Sequence, residues 1–268
     1  MTAAQPSLEA QRYVLPNAMP VAAERLGLLA QIFDPISTEA LVRTEIGQGW
    51  SCWEVGAGIG SVAAWMAERV GPTGRVLATD LDPRYSSALA SATLEVRRHD
   101  VVKDQPPVEQ FDLVHTRLLL CHLSERNAVL DRLIAALKPG GWLVVEDFDS
   151  VSITADSTAN SFETPLKSLA AMREFFARSG LDLRLGRRLA GLLRSRGMAS
   201  VHSEGRIFMA GDGTIYSRFQ RLTLDQLRED LLSERLVTVE ELERDLVAIR
   251  TRFLSPLPVL WSASGRKP

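Results

Sequence analysis

The sequence predicts an α/β fold in which a largely parallel sheet carries helices on both faces. Three observations predict it. The short apolar run Cys52–Val55 is followed at once by Gly56, Gly58 and Gly60, then by apolar residues at helical spacing, Val62, Met66, Ala67 and Val70. That order reads as strand, tight glycine turn, helix. A second apolar run, Val76–Thr79, ends on an acid, Asp80. A third, Leu143–Asp147, follows a helix-ending Lys138-Pro139-Gly140-Gly141-Trp142. Continuous apolar strands, rather than alternating ones, are buried on both faces, as parallel sheets are.

Composition narrows the function classes. The chain has 268 residues, 46% of them hydrophobic and 24% charged, and a formal net charge of −2. Such a chain suits one large domain or one domain with an appendage, and its charge does not point to a general nucleic-acid binder. Its two cysteines, Cys52 and Cys121, lie in apolar surroundings and suggest neither a disulfide framework nor a metal site. The N-terminus lacks the basic and apolar regions of a signal peptide, and no apolar run is long enough to span a bilayer. A soluble cytoplasmic protein is expected.

Taken in order, residues 1–48 read as an N-terminal helical cap and 49–268 as the main domain. In the cap, Leu26, Leu29, Ile32 and Phe33 predict a helix over Ala22–Phe33, and Thr38–Ile46 a second short one. Tyr13 lies upstream in a weakly patterned segment, a candidate for a substrate pocket or a packing staple. The glycine turn then lets a ligand approach backbone that a Cβ would shield, and Glu54 stands at the carboxyl end of its strand. A carboxylate at the end of the second strand, Asp80, can take two hydrogen bonds from the vicinal diol of a ribose. Asp82, before Pro83, reads as a helix cap. These features predict an adenosine-containing ligand. A dinucleotide fingerprint wants Gly or Ala where this chain has Ser61, so the pyrophosphate match is imperfect.

The run Glu54-Val55-Gly56-Ala57-Gly58-Ile59-Gly60 resembles motif I of the class I S-adenosylmethionine (SAM) methyltransferases. Phe111-Asp112-Leu113-Val114-His115 is similar to that family's fourth-strand block, and Leu137-Lys138-Pro139-Gly140-Gly141 to its turn into the fifth strand. The resemblance covers about residues 50–210 and a plausible last strand. It implies a Rossmann-like sheet of seven strands with helices on both faces and the last strand antiparallel. It implies SAM as cofactor, with Glu54 and the glycines at the methionine end, Asp80 and Leu81 at the ribose, and Asp100 and Val101 at the adenine. Thr116 and Arg117 then run under the methionine end, where an Arg fork suits a carboxylate.

Leu94–Arg98 is the expected third strand. Beyond the fourth, Ser124 is expected to cap a helix carrying Leu130, Leu133, Ile134 and Leu137. Val151–Thr164, rich in Ser, Thr and Asn, reads as a loop or lid, within a lid region of about 150–180. Thr164–Arg178 and Arg187–Arg196 read as helices, the second with Arg187, Arg188, Arg194 and Arg196 on a solvated face. Ser200–Met209 is the expected sixth strand and Val259–Ala263 the seventh. Helices over Leu222–Ser233 and Val239–Phe253 fill the insertion at about 214–254, which forms a lid over the acceptor or a homodimer contact.

Methyl transfer from a sulfonium is an in-line displacement, mainly a matter of positioning. Oxygen and nitrogen acceptors also need to lose a proton, a task suited to a near-neutral imidazole. His122 and His115 flank the stretch under the methyl group and are the candidate bases. Glu146, Asp147 and Phe148 are expected to point into the same crevice. Phe148, Phe162 and Trp261 are candidates for an apolar acceptor pocket. The chain lacks the Asn/Asp-Pro-Pro-Tyr motif of many nucleic-acid and glutamine amino-methyltransferases, and has no acidic cluster of the Mg²⁺-dependent type at the fourth strand, so no metal is expected. The resemblance thus implies methyl transfer to the O, N or C of a small molecule in bacterial specialised metabolism. Two alternatives stay open: a SAM-binding cyclase or regulatory module that transfers nothing, and a nucleotide-cofactor oxidoreductase.

Overall fold

A computed structural model describes residues 14–107, 110–152, 166–211, 213–251 and 255–268. Tyr13, Phe162 and most of the Val151–Thr164 segment lie outside the described residues. The chain builds β1 (Ser51–Val55), β2 (Arg75–Asp80), β3 (Leu94–Arg98), β4 (Phe111–Arg117), β5 (Leu137–Asp149), β6 (Ala199–Arg206), β7 (Met209–Ala210), β8 (Ser255–Pro256) and β9 (Val259–Arg266). Seven of these form one sheet in the order β3-β2-β1-β4-β5-β9-β6, while β7 and β8 pair separately. Strands β1 to β5 run parallel, and β9 lies antiparallel to both β5 and β6. This is the seven-stranded α/β sheet that the sequence predicts. The strand order reverses between β1 and β4, and the crevice beyond their carboxyl ends is where such sheets take ligands.

Alternate residues of each strand feed opposite cores. On one face Trp53 stacks on Phe111, ring centroids 5.5 Å apart, and packs with Leu77, Val114, Leu143 and Val145 against the helices α3 (Arg126–Ala135) and α5 (Leu189–Arg194). On the other, Cys52, Val76, Ala78, Leu113 and Val144 pack against Val62, Met66 and Val70 of α2 (Ser61–Val70). A third core joins α1 (Ala22–Val42), α4 (Lys167–Arg178), α6 (Ile215–Ser233) and α7 (Val239–Thr251). There Phe33 meets Phe148, Phe208 and Phe219 edge-on. This third core, built by residues from both ends of the chain, covers the carboxyl edge of the sheet.

Several local expectations are corrected. The two short helices expected before β1 are one, running through Pro35. Proline removes one ladder hydrogen bond, but Phe33, Ile36, Ser37, Ala40 and Leu41 are buried around it, and tertiary packing outranks the local breaker. Asp82 caps no α-helix: two 3₁₀ turns, Pro83–Tyr85 and Ser87–Leu89, follow it, and its carboxylate pairs with Arg84 at 2.8 Å. Ser124 lies ahead of α3 and bonds the Glu125 carboxylate instead. The expected helix Arg187–Arg196 shortens to α5 behind a 3₁₀ turn at Gly186–Arg188. Its arginines do not form a merely solvated face: Arg187 grips the buried Asp149 through two hydrogen bonds, 2.6 and 2.8 Å. The sixth strand ends at Arg206, and Met209 belongs to the separate β7–β8 pair. In the insertion, α6 starts at Ile215, seven residues before the expected Leu222, where Thr214 accepts a capping hydrogen bond from the Ser217 N–H.

Candidate functional site

A cavity of about 1470 Å³ opens beyond the carboxyl ends of β1, β2 and β4, roofed by α1, α4 and α6. It exceeds the ~300–1,000 Å³ of an ordinary single-ligand pocket, so it has room for two molecules side by side. One end is lined by the glycine turn, Asp80 and the loop around Asp100. The other is lined by Leu29, Phe148, Met172, Phe176 and Phe219.

The glycine end is built mostly from backbone. The N–H groups of Gly56 and Ala57 both donate to the Thr79 carbonyl, at 2.8 and 3.0 Å, which folds the turn back on β2. Gly58 has φ +56°, and a Cβ there would meet nothing within 4 Å: it would project into the open cavity. Gly60 serves differently. A Cβ on it would lie 2.9 Å from Ser86, so this glycine lets the turn pack on the following segment and does not line the cavity. The Gly58 N–H donates to Asp80 Oδ2 at 2.8 Å and the Asp82 N–H to Oδ1 at 2.9 Å. Burial raises the Asp80 carboxyl pKa against the lowering effect of these amides. A carboxylate has about four acceptor sites, so two remain for a diol. Leu81, 52% exposed, presents an apolar side chain to the same space. Asp100 Oδ1 caps its own turn, accepting from the Val102 N–H at 3.0 Å, while Asp100 and Val101 both line the cavity.

Behind the wall lies a buried polar chain. Glu54 Oε2 and His115 Nδ1 are 2.6 Å apart, and His115 Nε2 lies 3.3 Å from Glu146 Oε2. Ser37 and Ser262 each donate to Glu146, and Arg117 donates to Ser37 Oγ and to Asp34 Oδ1, both at 2.8 Å. Burial alone would lower the His115 pKa, but Glu54 and Glu146 more than offset it and push it up to about 9. Burial raises Glu54 against the pull of His115. Burial also acts to raise Glu146, but His115, Arg117 and Ser262 win and lower it.

This geometry corrects the expectation that His115 is a base at the acceptor. It is fully buried between two carboxylates and does not reach the cavity. Thr116 is buried as well and donates to the Val55 carbonyl at 2.9 Å. Glu146 and Asp147 do not point into the crevice. Asp147 is sealed beneath it, accepting from the Cys121 N–H at 2.9 Å and the Phe148 N–H at 2.9 Å. Trp261 packs on Gly186 and Gly205, away from the cavity lining. Glu54, Gly56, Gly58, Asp80, Leu81, Asp100, Val101, Arg117, His122 and Phe148 do share one cavity. His122 stands on the 3₁₀ turn Leu120–His122. Burial, with the charge of Arg25 second, lowers its pKa to about 4, so the ring is neutral at neutral pH.

The family model described as "Methyltransferase domain" matches residues 23–202. The chain belongs to this family. It is a class I SAM-dependent methyltransferase fold with the sheet order described above. Among curated relatives, "Methyltransferase str3" of Strobilurus tenacellus is 32% identical over 161 residues, 58% of this chain and 55% of that protein. The chain thus spans about half the length of the curated relatives it matches. Two solved structures share the fold. A putative methyltransferase from Bacillus halodurans has TM-score 0.56 and 17% identity over 86% of this chain and 98% of its own. The cyclase SpnF has TM-score 0.53 and 18% identity over 89% and 82%.

The residues at the glycine end of this methyltransferase domain fit SAM. The space before Gly58 admits a ligand where a Cβ would intrude, Asp80 keeps acceptor capacity for a ribose, and Leu81 offers an apolar face for a base. Two cavity residues escape a local sequence reading. Arg25 is 3% exposed and donates to Gln226 Oε1 at 2.7 Å; Gln220 lines the cavity from α6. The signal for Arg25 is its place on the apolar face of α1, one turn before Leu29. Gln220 has no such signal, because only the fold brings α6 over the sheet.

Proposed function

We propose that this protein transfers the methyl group of SAM to a small-molecule acceptor held in the same cavity. The observation that carries the reading is continuity: one space runs from Gly58 and Asp80 to an apolar chamber under α4 and α6. SAM, when bound, supplies a sulfonium methyl group for in-line displacement. Asp80 would hold the ribose hydroxyls, and Glu54, held by His115, would take the methionine amine. Arg117 is fixed by Asp34 and Ser37 at the methionine end. Phe148 and the helices α4 and α6 close the acceptor side against water, which favours alignment of acceptor and methyl. Residues 1–48 act as a cap and the 214–254 insertion as the lid of this site. The neutral His122 accepts a hydrogen bond from the acceptor rather than storing its proton. The reading assigns the acceptor to specialised metabolism; the bacterial setting rests on motif resemblance, and str3 is a fungal relative. It also assigns a cytoplasmic protein with no nucleic-acid partner, acting as a monomer or as a homodimer through the insertion. Among the described residues, no helix is long and apolar enough to cross a membrane.

Incubation with methyl-labelled SAM and a panel of hydroxy, amino and activated-carbon acceptors tests the proposal. Acceptor-dependent release of S-adenosylhomocysteine (SAH) supports it. A second reading is a cofactor-binding protein that transfers no methyl, because the same site residues would hold SAM without transfer. The solved fold relative SpnF is a cyclase. Tight SAM binding with no SAH from any acceptor would select that reading.

A further inference from the structure

The chamber end of the cavity holds a polar group that the fold does not satisfy. Gln220 is 6% exposed, lines the cavity between Phe219 and Thr223, and its side-chain oxygen has no hydrogen-bond partner among the described residues. Buried amides are ordinarily paired, and an unpaired one calls for an explanation. Its surroundings do not supply a partner. Leu29, Phe148, Met172, Phe176 and Phe219, which line the same cavity, are apolar and pack in one core. The hydroxyl of Thr223 is turned back onto the Phe219 carbonyl at 2.9 Å.

Charge restricts the occupant further. The cavity-lining residues of α1, α4 and α6 include Arg25, Arg173 and Arg178 and no carboxylate. The carboxylates of the cavity, Glu54, Asp80, Asp82, Asp100, Glu125 and Asp182, come from strand ends and loops rather than from these helices. A cationic acceptor would therefore lose hydration in the chamber without gaining a counter-ion.

We propose that the chamber is an acceptor subsite for a non-cationic, largely apolar molecule whose hydroxyl group donates a hydrogen bond to the Gln220 side-chain oxygen. The inference rests on the methyltransferase reading for the word acceptor, but the subsite itself can be tested without transfer. An amide oxygen only accepts, so it distinguishes a hydroxyl-bearing ligand, which can donate, from its hydrocarbon isostere. Sites that hydrogen-bond a buried group discriminate more sharply than apolar walls do, because the analogue leaves the site's own polar group unpaired.

The test is titration of the full chain, with and without saturating SAH, using 4-hydroxybiphenyl, 4-methylbiphenyl and biphenyl-4-ylmethanamine. The hydroxy probe is expected to bind about tenfold more tightly than the methyl isostere, and the cationic probe to bind weakest. In Gln220→Leu the hydroxy preference should vanish while affinity for the methyl isostere and for SAH stays unchanged. Gln220→Asn, which keeps a shorter amide, should restore part of the preference. A preference retained in Gln220→Leu, tightest binding of the cation, or no saturable binding of any probe would overturn the subsite. Absence of SAH binding, with the probe pattern intact, would instead count against the methyltransferase reading and leave the subsite standing.

Discussion

The two ends of the cavity are made by different means. The glycine end is short in sequence and built from backbone: Gly56, Ala57 and Gly58 lie within three residues, and their amides and Asp80 set the geometry. The chamber end is assembled from side chains of α1, α4 and α6, with α1 more than a hundred residues of chain before the other two, brought together by one aromatic core. The first end is fixed wherever the strand–turn–helix unit forms. The second exists only once the whole domain has packed. Cofactor binding and acceptor choice therefore depend on different parts of the sequence, and variants should separate them.

The largest expected effect lies behind the cavity wall, in the buried chain from Glu54 through His115 to Glu146. His115→Ala leaves two buried carboxylates facing each other, and should cost about 3–5 kcal/mol of stability by denaturant titration. A loss below ~1 kcal/mol would mean that the pair is not coupled. The same residue sets a pH dependence. Its folded pKa, about 9, lies above the unfolded value of 6.5, so the folded state holds the extra proton between them. Its contribution is fully present below about pH 6.5 and is lost as pH rises through about 9. Thermal melts across that window should show falling stability in the wild type and a flatter profile in His115→Gln.

Next comes the ribose contact. Asp80→Ala should weaken SAM binding by ~1.5–3 kcal/mol, tenfold to a hundredfold, measured by calorimetry. The chamber probes should be unaffected; a parallel loss of both would erase the distinction between the ends. Gly58→Ala puts a Cβ in the cavity at a positive φ, which costs ~1–2 kcal/mol in backbone strain. It should raise the SAM dissociation constant about tenfold with the fold intact by circular dichroism.

The smallest effect is expected at His122. A general base in a transition state contributes ~10²–10⁴ in rate, but a group whose pKa is held near 4 by burial and by Arg25 is poorly matched to that task. His122→Gln should lower turnover about tenfold or less, and the wild-type rate should show no ascending limb near pH 6.5. A thousandfold loss with such a limb would restore it as the base.

The same contrast explains what could be read from the sequence. Strand ends, the glycine turn and Asp80 are local patterns whose chemistry follows from a few consecutive residues, and the seven-stranded sheet followed from them and from the family resemblance. His115 misled because strand alternation alone does not say whether a polar residue faces a ligand or a buried carboxylate on the neighbouring strand. The register that sets it beside Glu54 and Glu146 is tertiary information. Pro35 misled for a related reason: a local breaker sits inside a helix whose buried face holds it in place. Arg25 and Gln220 are invisible as a pair because only the closure of α6 over α1 makes them neighbours of one cavity.

The most direct test of the account is the structure of the protein with SAH bound. The ribose diol should lie on Asp80, the homocysteine end between Glu54 and Arg117, and the sulfur should open toward His122 and Phe148. SAH seated elsewhere, or with its sulfur turned from the chamber, would contradict it.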